Sequence, residues 1–194
     1  MKTIAACLLF VALPLFAGDR NPLKVGEDVP LFTLKNYDGK EYGLEKALKE
    51  SKLAVVMFIA TQCPVSNAYN ERMAKLHEQY GRIGVSFVGI NSNKQEGVSE
   101  IATHAKAKGF KFPVLKDAEN KIADAYGAQV TPEIYVVSPK GKLLYHGRID
   151  DSRDPAKVEV RDLTKALDAL LSGKEPPRAE TKAFGCSIKR ISSD

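Results

Sequence analysis

The chain has 194 residues, 44% of them hydrophobic, and a formal net charge of +5 spread among mixed signs. That length and apolar share suit one domain of about 150 residues with appendages and exclude a chain disordered by composition. Its Lys and Arg form no block, which argues against a nucleic-acid partner, whose binders cluster basic residues on one face.

Lys2 precedes an apolar stretch from Ile4 to Ala17, broken only at Pro14. This is too short to span a bilayer comfortably and fits the core of a signal peptide. Residues 1–18 are therefore read as an export signal, with Ala17 and Gly18 as the small residues at cleavage and an uncleaved anchor as the alternative. Cleavage removes Cys7 and leaves no membrane segment. The exported protein, periplasmic or secreted, keeps Cys63 and Cys186 in a compartment where disulfides persist. Two cysteines are too few for a disulfide-stapled scaffold or a cysteine-rich zinc site, and no metal or other cofactor is expected.

Short runs around Leu31–Leu34 and Glu41–Leu44 flank Asp38-Gly39 and predict a β-hairpin, followed by a short helix over Glu45–Ser51. Leu53 to Ala60 is an unbroken apolar run, as expected of a central strand covered on both faces. Thr61-Gln62 makes a polar step, then come Cys63 and Pro64. Proline suits the first turn of a helix, which places Cys63 at or next to the N-cap. Free N–H groups and the helix dipole there favour a thiolate, so the Cys63 pKa should fall. Val65, Tyr69, Met73, Leu76 and Tyr80 predict the inner stripe of that helix, with Glu71, Arg72 and Lys75 outward and His77 on the surface. Val85–Ile90 is the next buried strand, leaving through Asn91-Ser92-Asn93. Val98, Ile101, Ala102 and Ala105 stripe a second helix ending at Gly109. A short helix over Asn120–Tyr126 precedes Thr131-Pro132, a buried strand Ile134–Val137 and an antiparallel partner Leu143–Arg148. The charged segment Arg148–Asp154 suits turn and capping roles more than a metal site. A last helix carries Val160, Leu163, Leu167 and Leu170 and stops at Gly173. In the tail, Phe184, Cys186 and Ile188 alternate with polar residues or glycine, predicting a docked strand with those three on one face.

The apolar strand, Cys63-Pro64, the helix and the later Thr131-Pro132 together resemble the thioredoxin superfamily, and more narrowly the redoxin branch of alkyl hydroperoxide reductase and thiol-specific antioxidant (AhpC/TSA) proteins. The likeness runs from about Val25 to Leu171. It implies an α/β thioredoxin-like fold with a central mixed sheet between helices, an N-terminal hairpin, a domain over 25–172 and a tail over 173–194 that carries Cys186. It also implies a cis Thr131–Pro132 bond facing Cys63, with the Thr131 backbone offered to an extended substrate. Gln62 and Ser66, beside the cysteine, join Thr131 and Pro132 as the expected substrate-binding residues. Two departures stand out. Ser66 occupies the place of a second thioredoxin cysteine, and Val56 and Ala60 occupy the places of the peroxiredoxin Pro and Thr. Met57 also replaces the buried carboxylate of thioredoxins, with Glu133 as a substitute candidate.

The leading expectation is an exported thiol–disulfide oxidoreductase in which the Cys63 thiolate forms a mixed disulfide with a protein or small-molecule partner. Ser66 is unable to resolve that intermediate, so the enzyme needs an external thiol or Cys186, or it acts as a monothiol isomerase. The alternatives are a thiol peroxidase, in which peroxide oxidises Cys63, and a non-enzymatic module that binds peptides on the Thr131–Pro132 ledge. Cys186 either resolves the intermediate or merely packs beside Phe184 and Ile188.

Overall fold

A computed structural model describes residues 22–191. The export signal expected over residues 1–18 lies outside them. Strands β1 (Thr33–Lys35) and β2 (Glu41–Gly43) form the expected antiparallel hairpin, and Gly39 supplies the positive φ its turn needs. Helix α1 (Leu44–Glu50) leads into β3 (Leu53–Phe58). After it come α2 (Pro64–Ala68), α3 (Asn70–Gly81), β4 (Val85–Asn91), α4 (Val98–Ala107), β5 (Val114–Lys116) and α5 (Lys121–Tyr126). The chain continues through β6 (Val130–Thr131), β7 (Glu133–Val137), β8 (Leu143–Gly147), α6 (Asp162–Leu171) and β9 (Cys186–Ser187). Among these residues no helix is long and apolar enough to cross a membrane.

The main sheet has the order β5-β4-β3-β7-β8, parallel from β5 to β3 and antiparallel from β3 to β8. Strand β3 sits at its centre, and period-two alternation decides where each side chain goes. Leu53, Val55 and Met57 enter a core with Tyr69, Met73, Leu76, Ile101, Leu163 and Leu167, the inner faces of α3, α4 and α6. Ala54, Val56 and Phe58 enter the opposite core with Phe32, Leu44, Leu48, Ala123 and Tyr126. Fully burying a Val, Met or Phe side chain contributes roughly 1.5–3 kcal/mol, so β3 holds the two layers together. Its C-terminal end is thereby a rigid mount for Cys63.

The helix expected after Cys63 is two helices, because the chain breaks at Tyr69 (φ −99°, ψ −4°). Val98 lies 47% exposed at the first position of α4 instead of joining its inner stripe, which is Ile101 and Ala105. The tail follows the core closely. His146 and Ala179–Thr181 exchange backbone hydrogen bonds of 2.9 and 3.0 Å, which covers the free edge of β8. Further on, the backbone N–H of Ile188 donates to the Gln129 carbonyl and that of Lys189 to the Asn93 side chain. Phe184 and Ile188 do not share a face. Phe184 packs on Tyr69 in one core, and Ile188 is buried in the other.

Candidate active site

Cys63 is the N-cap of α2, with extended backbone (φ −81°, ψ 116°), and Pro64 is the first helical residue. Its Sγ accepts a hydrogen bond from the Ser66 backbone N–H at 3.3 Å. The Thr131 carbonyl oxygen lies 3.3 Å from the same sulfur. The Thr131–Pro132 bond is cis. Sequence-distant segments thus meet at one sulfur, as the resemblance implied.

Cys63 is joined to Cys186 by a disulfide that spans 123 positions, with Cα atoms 5.9 Å apart. The tail reaches it by pairing, not by chance contact. Strand β9 runs antiparallel to β6, with Cys186 opposite Thr131 and Ser187 opposite Val130. The Thr131 ledge is therefore occupied by this chain's own tail, in the manner of an added strand. Gly185 makes that approach possible, since a Cβ there would collide with the Thr131 carbonyl. Phe184 anchors the tail one residue earlier, edge-on to Tyr69. Tyr69 is in turn covered by the Arg72 guanidinium, 3.8 Å from its ring centre. Arg72, expected to point outward, instead binds Asp150 at 2.6 Å and the carbonyls of Ser152 and Arg153. Asp151 fills the expected turn role by accepting from the N–H groups of Glu159 and Val160.

Ser66 is fully buried, and its hydroxyl accepts from the Ala60 N–H at 3.2 Å. Its contacts go to the Cys63 loop and not to the surface. The Gln62 side chain is tied to the Glu100 carboxylate at 3.1 Å. Arg148 pairs with Asp162 at 2.8 Å. His77 packs edge-on between Phe87 and Phe112.

Two buried carboxylates support the site from behind. Glu133 accepts from the N–H groups of Gln129 and Val130, from the Tyr135 hydroxyl and from His146 at 2.7 Å. Burial would raise its pKa, but His146 and the two backbone donors outweigh that and hold it below the usual range. An ionised group so fully engaged is a poor proton acceptor. Glu133 shapes the ledge in place of the buried base suggested by thioredoxins. Glu96 was not singled out by the sequence. It is fully buried and accepts from the N–H groups of Thr61 (2.6 Å) and Gln62 (3.2 Å) and from the side chains of Asn91 and Asn93. Burial again pushes its pKa up, and the Thr61, Asn91 and Asn93 donors bring it down to a net lowering. Its one sequence signal is position, just beyond the carboxyl end of β4, where α/β sheets build their sites. Asn67, also missed, donates to the Thr61 carbonyl at 2.8 Å and meets His104 at 2.7 Å.

A model of the AhpC/TSA family matches residues 25–146. The chain is 30% identical over 131 residues to the thiol-disulfide oxidoreductase ResA of Bacillus subtilis (strain 168), covering 66% of this chain and 69% of that one. Peroxiredoxin Q from Populus jackii is 28% identical over 154 residues, 75% of this chain and 68% of its own. Among solved structures, an uncharacterized conserved protein from Geobacillus kaustophilus superimposes with a TM-score of 0.83 at 35% identity, covering 90% of this chain and 96% of its own.

Proposed function

The chain belongs to the AhpC/TSA family, and from that premise we propose that Cys63 and Cys186 are its working pair, cycling between dithiol and disulfide. It is a thiol–disulfide oxidoreductase. In the reduced protein, the Cys63 thiolate attacks a substrate disulfide and forms a mixed disulfide. The Cys186 thiolate then attacks the Cys63 sulfur, releases the reduced substrate and closes the internal bond. The observation that carries this reading is the bond between the β3–α2 junction and the tail. Ser66 and Gln62 hold the Cys63 loop, and Thr131 with Pro132 forms the ledge on which either the tail or an extended substrate lies. The apolar residues 4–17 support export to an oxidising compartment.

Peptide mapping without reductant, after blocking free thiols at lysis, tests the pairing. A cross-linked Cys63–Cys186 peptide, lost on mild reduction, is expected. Finding no cross-link after mild oxidation, with Cys186 free and Cys63 carrying a small thiol, would leave a single-cysteine mechanism.

Likeness to peroxiredoxin Q favours a second reading, reduction of peroxide at Cys63. Val56 and Ala60 stand where the peroxide-organising residues belong, so disulfide exchange should be the faster reaction. Stopped-flow oxidation of the dithiol, comparing peroxide and a small disulfide at equal concentration, separates them. Peroxide faster by an order of magnitude would make peroxidase the better description.

A further inference from the structure

The polar exit of β4, Asn91-Ser92-Asn93, is buried, and the proposed chemistry makes no use of it. It fastens the far end of the tail. The Lys189 N–H donates to the Asn93 side-chain oxygen at 2.7 Å, and the Lys189 carbonyl accepts from the Lys94 N–H at 2.7 Å. The Ile191 N–H donates to the Asn120 side-chain oxygen at 2.8 Å. Asn93 and Asn120 are 5% and 1% exposed, so both tail bonds end on groups that are costly to leave unpaired. The near end is fastened separately, where Ala179–Thr181 pairs with His146 on the edge of β8. Between the two fastenings lies the short β6–β9 ladder on the Thr131 ledge.

Asn93 also reaches the other side of the site. Its side-chain N–H donates to the Glu96 carboxylate at 2.8 Å, and that carboxylate accepts from the N–H groups of Thr61 and Gln62, the two residues before Cys63. One amide therefore stands between the loop that leads into Cys63 and the strand that carries Cys186. The match is directional. A carboxylate only accepts and a backbone N–H only donates, so the bridging group must donate on one side and accept on the other, as a carboxamide does. Asn93 is itself held by the Lys116 ammonium on its backbone carbonyl and by its own N–H on the Asn91 side chain.

We propose that Asn93 is a positioning residue of the redox cycle, a latch that keeps the tail beyond Cys186 tied to the Cys63 loop in the dithiol form. This rests on the oxidoreductase reading. After reduction, the segment between the fastenings lifts from the ledge to admit a substrate, while Lys189 stays on Asn93. Cys186 leaves the ledge without leaving the site. Its effective concentration toward Cys63 stays high, because a segment tied at both ends explores little volume.

Amide hydrogen exchange of the wild-type dithiol, followed by NMR, tests the latch without any substitution. The Lys189 and Ile191 amides should exchange at least tenfold more slowly than in an unstructured chain, and a smaller protection would overturn the proposal. In the Asn93→Ala protein, the disulfide equilibrated with glutathione should be reduced at least tenfold more readily, a shift of about 30 mV. The alkylation midpoint of Cys63, read in the Cys186→Ser background with and without Asn93→Ala, should stay where it is. An equilibrium that changes by less than tenfold, or a midpoint that moves with it, would make Asn93 a general support of the fold and overturn the latch. These failures leave the oxidoreductase reading intact, since its working pair is tested by the Cys63–Cys186 cross-link in the wild type.

Discussion

Cys186 faces Thr131 across the β6–β9 ladder while its sulfur is bonded to Cys63, so one tail residue closes both the ledge and the thiol. The backbone pairing and the covalent bond reinforce each other. Strand pairing brings the tail sulfur to the site, and the bond keeps a ladder of two residue pairs from fraying.

Reduction should therefore loosen more than one bond. Because the bridge spans 123 positions, chain-entropy reasoning gives it a stabilising effect of up to about 5 kcal/mol. Urea unfolding with and without reductant measures it. A difference below about 1 kcal/mol would show that the tail docks without the bridge and that its entropic effect is small.

The reduced Cys63 should be acidic. It caps α2 and receives the Ser66 N–H, so its pKa should fall from about 8.5 into the roughly 3.5–7.5 range of such cysteines. The pH dependence of alkylation gives the value, with the Cys186→Ser variant isolating the one thiol. A midpoint at or above 8.5 would remove the physical basis for the nucleophile.

Gly185→Ala should separate the tail from the ledge, because the new Cβ meets the Thr131 carbonyl. Overpacking of this kind costs typically about 1–3 kcal/mol. The oxidised variant should unfold at lower urea and should be reduced faster by glutathione than the wild type. Unchanged values in both assays would mean that the close approach is not needed.

Glu96→Gln should destabilise the oxidised protein by about 2 kcal/mol, since the amide is unable to accept from all four donors. The pH dependence has a definite sign. The folded-state pKa lies below the ordinary 4.5, so protons favour the unfolded chain. The carboxylate's contribution is complete above that value and is lost as pH falls below it. The gap between wild type and variant should be full near about pH 7 and shrink near about pH 3. A gap independent of pH would argue that shape, not charge, matters at this position.

The sequence alone determined the frame of this protein. Leu53–Phe58 is apolar on both faces and of strand length, which suits a central strand covered on both sides, and all six residues are buried. Pro64 after Cys63 reads as the first turn of a helix from local chemistry, and the alternation of Phe184, Cys186 and Ile188 signals a tail that docks. Tertiary structure decided where the pieces meet. The alternation was right about docking and wrong about faces, because the tail pairs with β6 between the two cores and sends Phe184 and Ile188 into opposite ones. Arg72 reads as a solvent residue by helical spacing, yet the break at Tyr69 and the distant Asp150 draw it inward. Glu96 carries no local signal, since its role comes from the N–H groups of a loop 34 and 35 positions away. Period and propensity act over a few residues, whereas the pairing of Cys63 with Cys186 and of Thr131 with the tail is fixed by the whole fold, which brings their segments together beyond the carboxyl end of β3.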